Sequence, residues 1–289
     1  MKHDNIIRIV DMFTSAENAQ NMQDAYFVTH LMDTTLERVL REHRKNSIQV
    51  LNDSQIKLFT YQMLRALKYI HSAGIIHRDL KPANIAINVD CDLKILDFGL
   101  ARQAEAEMTG YVATRWYRAP EIMLNWRHYD KKVDIWSVGC IMVEMITGQP
   151  IFDGKDNAID QLTKIINVCG TPSDEFLEKI TSNEAKNYIR NHMPQLERKN
   201  FRQYFPQTTP DQAVDFLDKT LVIDPDQRPT AVEALKHPYF EEFHDADDEP
   251  AAEPINENIG ENTWDLNEWR TLLWNEIASF ANTNHSPND

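Results

Sequence analysis

The residues best suited to chemistry lie between positions 77 and 99. The string His77-Arg78-Asp79-Leu80-Lys81-Pro82-Ala83-Asn84 is followed downstream by Asp97-Phe98-Gly99. Asp79 can accept the proton of a hydroxyl group, and Lys81 can approach a nearby phosphate. Asn84 and Asp97 supply the oxygen ligands that Mg²⁺ prefers, and Gly99 allows a sharp turn after Asp97. The pattern predicts phosphoryl transfer to a hydroxyl group.

A helix and a hairpin must position these residues. Asn52-Asp53-Ser54 offers N-cap candidates, apolar residues follow at helical spacing, and Gly74 is suited to close the helix. Two short apolar runs, 85–87 and 93–96, flank a polar turn and predict a small hairpin.

The rest of the chain predicts a mostly helical α+β body. Two apolar runs near the start predict strands, at 6–13 and 25–29. Apolar residues spaced by three and four from Leu266 to Phe280 predict a terminal helix that packs back onto the body. Further helices are predicted at 133–147, 156–168, 174–180, 211–221 and 230–236.

From this point the sequence resembles a known family. H-R-D-L-x-x-x-N with a later D-F-G is the catalytic set of protein kinases. Ala119-Pro120-Glu121 resembles the end of a kinase activation segment, and Arg228 matches the arginine that pairs with that glutamate. Asp134-Ile135-Trp136-Ser137 resembles the element whose aspartate steadies the catalytic loop.

The Thr109-Gly110-Tyr111 sequence between these motifs resembles the stress-activated mitogen-activated protein kinases, as does the long insertion from Phe152 to Pro206. The resemblance runs from His3 to about Phe280. It implies a protein-kinase-like α+β fold with a largely helical large lobe, a two-strand remnant of the small lobe and a C-terminal extension. The expected divisions are residues 1–32 for the small-lobe remnant and hinge, 33–240 for the large lobe with its insert, and 241–289 for an acidic docking segment and terminal helix.

The resemblance also implies an activity and a switch. We expect a Ser/Thr kinase that uses ATP and Mg²⁺, modifies sites followed by Pro, and is activated by a dual-specificity kinase through phosphorylation of Thr109 and Tyr111. The residues expected to hold phospho-Thr109 are Arg78 and Arg102, and those for phospho-Tyr111 are Arg115 and Arg118.

The adenine of ATP is expected beside the second strand. The family match places Thr29 at the gatekeeper position and the backbone of His30 and Met32 at the adenine, with Lys81, Asn84 and Asp97 nearer the phosphates. The hinge departs from the family pattern at Asp33-Thr34, where Gly-Ala is usual.

Charge is spread unevenly along the chain. The formal net charge is −15, and residues 241–289 carry 13 acidic side chains and one basic one. Such a run can be a solvated face, but Asp245, Asp247 and Asp248 match the family's common docking patch for basic peptides of substrates, phosphatases and scaffolds. A second acidic pair maps to Val89-Asp90, where only Asp90 is acidic.

Binding to nucleic acid or to a membrane is not expected from this composition. A basic run follows the hinge, and we interpret it as a solvated helix face; its members are Arg38, Arg41, His43, Arg44 and Lys45. Three cysteines and a polar start without a signal peptide favour the cytoplasm and nucleus.

No glycine loop occurs in these residues. The chain has 8 glycines, and none are spaced as G-x-G-x-x-G requires. The strand lysine and helix glutamate of a kinase small lobe also have no counterpart. Two interpretations stay open: these residues belong to a kinase whose N-terminal part they do not include, or they form a catalytically impaired docking competitor. We expect little or no kinase activity from the 289 residues alone, because phosphate positioning accounts for much of catalysis.

Overall fold

The computed structural model describes residues 1–46, 49–103, 115–124, 130–155, 157–255 and 265–284. Thr109 and Tyr111 lie outside these ranges. None of the helices within them has the length and apolarity needed to cross a bilayer.

The strands of the described residues pair antiparallel, and an isolated parallel bridge joins Ile6 to Ile95. Strands β1 and β2 form one ribbon, β3, β5 and β6 form a second sheet in the order β3-β5-β6, and β4 pairs with β7. The strands are β1 Ile9–Phe13, β2 Tyr26–Thr29, β3 Thr34–Thr35, β4 Ile75–Ile76, β5 Ile85–Ile87, β6 Leu93–Ile95 and β7 Arg102–Gln103.

Helices form the body. They are α1 Leu36–Asn46, α2 Asp53–Ser72, α3 Pro120–Met123, α4 Lys132–Thr147, α5 Ala158–Cys169, α6 Asp174–Lys179, α7 Asn183–His192, α8 Asp211–Thr220, α9 Ala231–Leu235 and α10 Leu266–Asn284. Helix α2 packs against α4 and α9, and α4 also packs against α8.

Helix α4 is the centre of this body. Every residue from 133 to 146 is buried, and the Trp136 ring stacks on Phe152 with centroids 5.4 Å apart. An apolar helix surrounded on all sides can be buried only inside a large core. Helix α2, which lies against it, begins with a capping box between Asn52 and Gln55.

The predicted strand at 25–29, the hairpin and the helices predicted at 133–147, 156–168, 174–180, 211–221 and 230–236 are confirmed to within two residues. Strand β1 begins at Ile9, three residues into the predicted run 6–13, and α10 continues past Phe280 to Asn284. Gly74 follows α2 with φ of 80°, the left-handed conformation expected of a residue that closes a helix. Helices α3 and α7 were not predicted. Helix α7 fully buries only Ile189, and Ala185 and Tyr188 pack partly against the core, so its apolar face at helical spacing is only three residues long and was missed.

The interpretation of the basic run as a solvated face is wrong for two of its members. The His43 side chain is buried, and the Arg44 guanidinium forms an ion pair with the buried carboxylate of Glu144 on α4. Gly148 ends α4 directly under the His43 ring, where an added Cβ would lie 2.8 Å from His43 Cδ2. Helix α1 is therefore fixed onto α4 through its basic end.

The prediction that the terminal helix packs back is confirmed. Ile277 of α10 is buried with Met12 of β1 and with Met22, and Leu273 and Phe280 pack around them. The first turn behaves differently, because Leu266 is 65% exposed and Trp269 is 44% exposed. The apolar stripe is therefore longer than the surface that it covers.

A buried ion pair connects α3 to the segment before α9. Arg228 donates from both terminal nitrogens to the Glu121 carboxylate, at 2.7 and 2.8 Å, and neither side chain is exposed to solvent. The guanidinium also donates to the carbonyls of Val222 and Ile223 and lies over the Trp136 ring. This confirms the pairing that the family resemblance implies.

We predict that Glu121→Leu lowers the free energy of unfolding by about 3–5 kcal/mol, because Arg228 would remain charged and buried without its partner. Urea denaturation should show that Arg228→Met lowers the free energy of unfolding much less when it is added to Glu121→Leu than when it is made in the wild-type protein. Lys219→Met, which breaks an exposed pair with Asp215, should cost less than about 1 kcal/mol. Strictly additive losses at Glu121 and Arg228 would contradict the pairing.

Candidate active site

One buried carboxylate holds the catalytic loop from behind. Asp134, in the first turn of α4, is fully buried, and its two oxygens make three contacts. Oδ2 accepts from the His77 backbone N–H and contacts His71 Nε2, both at 2.9 Å, while Oδ1 accepts from the Arg78 N–H at 2.9 Å. Burial alone would raise the Asp134 pKa, but the hydrogen bond and charge of His71, with His77 and Arg78, lower it.

This anchor allows a strained turn in the loop. Arg78 has φ of 71°, which side chains other than glycine rarely adopt. The His77 ring, whose Nε2 lies 2.9 Å from the Leu96 carbonyl, packs edge-on against Phe98. The catalytic loop and the segment that carries Asp97 are thus held together through His77.

Three predicted catalytic residues meet beyond this turn. The Asp79 carboxylate, only 8% exposed, accepts from Lys81 Nζ at 2.6 Å and from Asn84 Nδ2 at 3.1 Å. Asn84 Nδ2 also donates to the Asp79 carbonyl at 2.9 Å. Because its amide nitrogen faces Asp79, the amide oxygen of Asn84 points away from that carboxylate.

The fourth residue, Asp97, lies next to this cluster along the hairpin. The Leu96 N–H donates to the Asn84 carbonyl at 2.8 Å, which places residue 97 directly beside the loop. Asp97 has φ of 59° and is exposed, and its Oδ1 accepts from the Gly99 N–H at 3.1 Å. Its other oxygen points away from that turn.

The hinge residues border the same side of the large lobe. Thr29 ends β2 opposite Ile9, and the side chains of Thr29 and His30 are exposed while Met32 is half-buried. Asp33, where the sequence departs from the family, accepts from the Val89 N–H at 3.0 Å and donates its own N–H to Asn88 Oδ1 at 3.1 Å. These bonds tie the hinge to the turn between β5 and β6.

The structure describes only some of the arginines predicted to bind the phosphates of phospho-Thr109 and phospho-Tyr111. Arg102 lies on β7, whose backbone pairs with β4, and its side chain lies outside the described part. Arg115 begins a short 3₁₀ turn, and its carbonyl accepts from the Arg118 N–H at 3.0 Å. The side chains of Arg115 and Arg118 are half-buried.

That 3₁₀ turn is anchored on α4. The Tyr117 hydroxyl donates to Glu144 at 2.6 Å, and Ser137 Oγ donates to the Tyr117 carbonyl at 2.7 Å. Burial, reinforced by the Glu144 charge, raises the Tyr117 pKa, and burial also raises the pKa of Glu144. The end of the activation segment is therefore fixed to the same helix as the catalytic loop.

The predicted docking residues lie on the surface beside α2. Asp245, Asp247 and Asp248 are all exposed, and the Asp245 side chain accepts from the Asp247 N–H. Asp248 is partly engaged, because Arg65 of α2 pairs with its carboxylate at 3.2 Å and donates to its carbonyl at 2.8 Å.

The next acidic residue points inwards. Glu249 is 4% exposed and contacts the Tyr61 hydroxyl, Lys68 and His244 at 3.1, 3.3 and 2.7 Å. Burial, together with the Glu249 charge, raises the pKa of Tyr61 to about 12. Sequence reasoning did not identify Glu249, Arg65 or His71 as structural residues, because each acts across more than 60 positions of the chain.

Comparison with known proteins gives a consistent result. A model of the protein kinase domain matches residues 1–240. Mitogen-activated protein kinase pmk-1 of Caenorhabditis elegans is 56% identical over 280 residues, which are 97% of this chain and 72% of pmk-1. Mitogen-activated protein kinase 14 of Xenopus laevis is 53% identical over 281 residues, 97% of this chain and 75% of the relative. Mitogen-activated protein kinase p38b of Drosophila melanogaster is 51% identical over 286 residues, which are 98% of this chain and 76% of p38b.

The helical lobe, the anchored loop and the matched kinase domain define an ATP-dependent Ser/Thr protein kinase. Within that class, the chain belongs to the stress-activated mitogen-activated protein kinases.

Protein kinases use ATP with a divalent metal ion. The donors present fit such an ion, since Asn84 uses its amide nitrogen and Asp97 only Oδ1 in the hydrogen bonds among the described residues, which leaves one oxygen of each for a metal. Hard oxygen donors of this kind suit Mg²⁺.

We predict that Asp134→Asn lowers the free energy of unfolding at pH 7 by about 1–3 kcal/mol, because buried N–H groups lose an acceptor. Since folding lowers the Asp134 pKa, this stabilisation is present above the ordinary aspartate pKa of about 3.9 and is lost as pH falls through the lower value in the folded state. The difference between wild type and variant, measured by urea denaturation, should therefore shrink in acid. Asp92→Asn, at an exposed carboxylate, is the control, and a difference that grows in acid would contradict the prediction.

Proposed function

We propose that this kinase transfers the γ-phosphate of ATP, held with Mg²⁺, to Ser or Thr followed by Pro. The observation that supports this best is the contact of Asp79 with both Lys81 and Asn84, on a loop anchored by Asp134. When bound, ATP would supply the phosphoryl group, and the metal ion would supply positive charge that neutralises the phosphate oxygens.

In this proposal each residue of the cluster has one role. Asp79 accepts the proton of the substrate hydroxyl, and its hydrogen bonds to Lys81 and Asn84 hold the carboxylate in place. Lys81 places a cation beside the oxygens of the transferred group. Asn84 and Asp97 hold the metal ion, while Thr29 and the backbone of His30 and Met32 border the adenine.

We further propose that phosphorylation of Thr109 and Tyr111 by a dual-specificity kinase switches the enzyme on. Support comes from the catalytic loop and from the end of the activation segment. Arg78 is fixed by its backbone bond to Asp134, and Tyr117, between Arg115 and Arg118, is fixed by Ser137 and Glu144. With Arg102, these arginines would hold the two phosphates on a rigid base.

The acidic segment supports a proposal about partners. Asp245, Asp247 and the free side of Asp248 would bind basic docking peptides of upstream kinases, substrates, phosphatases and scaffolds. Partners of this kind imply action in both the cytoplasm and the nucleus, which we also propose.

A second candidate function is that of a docking competitor. It is favoured by the exposure of the docking carboxylates, which need no ATP site to bind a peptide. One comparison distinguishes the two functions. Both would bind docking peptides, but a competitor transfers phosphate at the same rate as its Asp79→Asn variant, whereas a kinase transfers it faster than that variant.

We predict that Asp79→Asn lowers the rate of transfer to a Ser-Pro peptide by about 10²–10⁴-fold, because the hydroxyl loses its proton acceptor. The measurement is radiometric transfer from ATP by protein in which these residues follow the glycine-loop, strand-lysine and helix-glutamate segment of a relative's small lobe, because the 289 residues alone are expected to have little or no activity. An upstream kinase first phosphorylates this protein on Thr109 and Tyr111. Asp92→Asn should retain the wild-type rate. Equal rates for wild type and Asp79→Asn would refute the catalytic proposal and favour the competitor, and equal use of Ser-Pro and Ser-Ala peptides would refute the specificity.

We also predict that Asp245→Asn with Asp247→Asn weakens binding of a basic docking peptide about three- to tenfold at low salt, because two exposed charge pairs are lost. The effect should fade towards high salt in fluorescence anisotropy titrations. Asp248→Asn alone should cost less than Asp245→Asn alone, since one Asp248 oxygen already pairs with Arg65. Glu253→Gln, an exposed change in the same segment, is the control. Unchanged affinity in the double variant at low salt would rule out this docking site.

A further inference from the structure

A cleft lies on the rear of the lobe, between the end of α2 and the beginnings of α4 and α9. We call it the rear cleft. Its volume is about 400 Å³, within the range of roughly 300–1,000 Å³ usual for small-molecule sites. It is lined by Lys68, His71, Ser72, Asp130, Lys131, Lys132, Ile135, Thr230, Ala231, Val232 and Ala251.

One wall of the rear cleft is built by the segment that follows the docking patch. The Ala252 N–H donates to Ser72 Oγ at 2.7 Å, and the Ile255 N–H donates to the Ala73 carbonyl at 3.0 Å. These bonds hold Ala251 beside the end of α2. The cleft is therefore formed by hydrogen-bonded backbone and three helix ends, and none of its residues belongs to the catalytic cluster.

The lining combines an apolar wall with a cationic rim. The apolar side is formed by Ile135, Ala231, Val232 and Ala251, and Val232 is 44% exposed. An exposed apolar wall inside a concave site is the usual mark of ligand binding. Three lysines surround it, so the ligand should carry negative charge at one end.

The charge balance of the rim favours a single negative charge. Lys68 is already paired with Glu249 at 3.3 Å, and the Asp130 carboxylate accepts from the Lys132 N–H at 2.9 Å. Within the part of the chain that the structure describes, the Lys131 ammonium forms no ion pair, and Lys132 Nζ contacts only the Asp226 carbonyl, at 3.4 Å. Lys132 also lies within electrostatic reach of the Asp226 and Glu233 carboxylates. Lys131 therefore provides the charge of the rim that is left to neutralise, which is about one positive charge.

We propose that the rear cleft binds a fatty acid, with its acyl chain against the apolar wall and its carboxylate beside Lys131 and Lys132. The site communicates with the catalytic loop through one side chain. His71 lines the cleft, and its Nε2 contacts the same Asp134 oxygen that accepts from the His77 N–H. A ligand that shifts the His71 ring therefore changes the hydrogen bond at the start of the catalytic loop.

The test is titration of the full chain with sodium dodecanoate, kept below its micelle concentration, by calorimetry. Saturable binding is expected, and octanoate should bind more than about tenfold more weakly because each buried methylene adds affinity. Dodecyltrimethylammonium, which has the same chain and the opposite charge, should not bind. No saturable dodecanoate binding, or equal binding of the cationic amphiphile, would overturn the proposal.

Two variants test the site independently. Ala251→Trp fills the apolar side from an exposed position and should weaken dodecanoate binding about tenfold or more. Lys131→Glu reverses the rim charge and should weaken it about fivefold. Glu253→Trp and Lys155→Glu are matched exposed changes outside the cleft and should leave the affinity within about twofold. Binding that neither Ala251→Trp nor Lys131→Glu weakens would place the ligand elsewhere.

The coupling has its own readout, which does not depend on activity. In ¹⁵N-labelled protein, saturating dodecanoate should shift the amide resonances of His77 and Arg78 and the ring resonances of His71. Ala251→Trp should abolish these shifts. Binding in the cleft without any change at these three residues would refute the link to the catalytic loop.

Discussion

The catalytic half of this kinase depends on one buried charge. Asp134 lies where the core helix begins, and its carboxylate accepts the backbone N–H groups of His77 and Arg78. A carboxylate buried this deeply is tolerated only when charged and hydrogen-bonding partners surround it. His71 supplies the third contact, so the loop, the core helix and α2 meet at one carboxylate. The left-handed backbone conformation of Arg78 is strained, and the hydrogen bond from its N–H to Asp134 holds it in place.

The same helix organises the rest of the activation machinery. Glu144, nearly three turns further along α4, binds Tyr117 at the end of the activation segment and Arg44 of α1. Arg228 lies over Trp136 of α4 and holds Glu121. Buried ion pairs contribute little net stability compared with apolar packing, but each fixes one geometry. Here they fix loops, which would otherwise have few buried contacts of their own, onto the most rigid element of the lobe.

The sequence predicted the local features well. The helix from Asn52 to Gly74 and the hairpin depend on caps, turns and short spacings that can be recognised in a single stretch of chain. The contacts across the fold could not be recognised in this way. His43 and Arg44 were interpreted as part of a solvated basic face because the residues that they contact, Gly148 and Glu144, lie 100 or more positions away in the chain. Glu249 read as one more acid in a charged tail, whereas it is buried against α2. Helix α7 was missed although Ala185, Tyr188 and Ile189 have helical spacing, because an apolar face of three residues is too short to recognise with certainty in one sequence.

The charge distribution acquires a structural meaning from these contacts. Part of the acidic segment is structural, since Glu249 and one side of Asp248 fasten it to Lys68 and Arg65 of α2. The remaining carboxylates are exposed on that fixed base. The segment then continues along the end of α2 to form a wall of the rear cleft. Docking patch, rear cleft and catalytic loop are therefore all connected to α2, with His71 as the point nearest to the chemistry.

The claim that Asp134 holds the catalytic loop is tested most directly by amide hydrogen exchange at His77 and Arg78, measured by NMR in wild type and in Asp134→Asn under native conditions. Both amides should be protected in the wild-type protein and should lose most of that protection in the variant, while amides in the middle of α2 keep theirs. Protection of His77 and Arg78 that is unchanged by the substitution would contradict the claim.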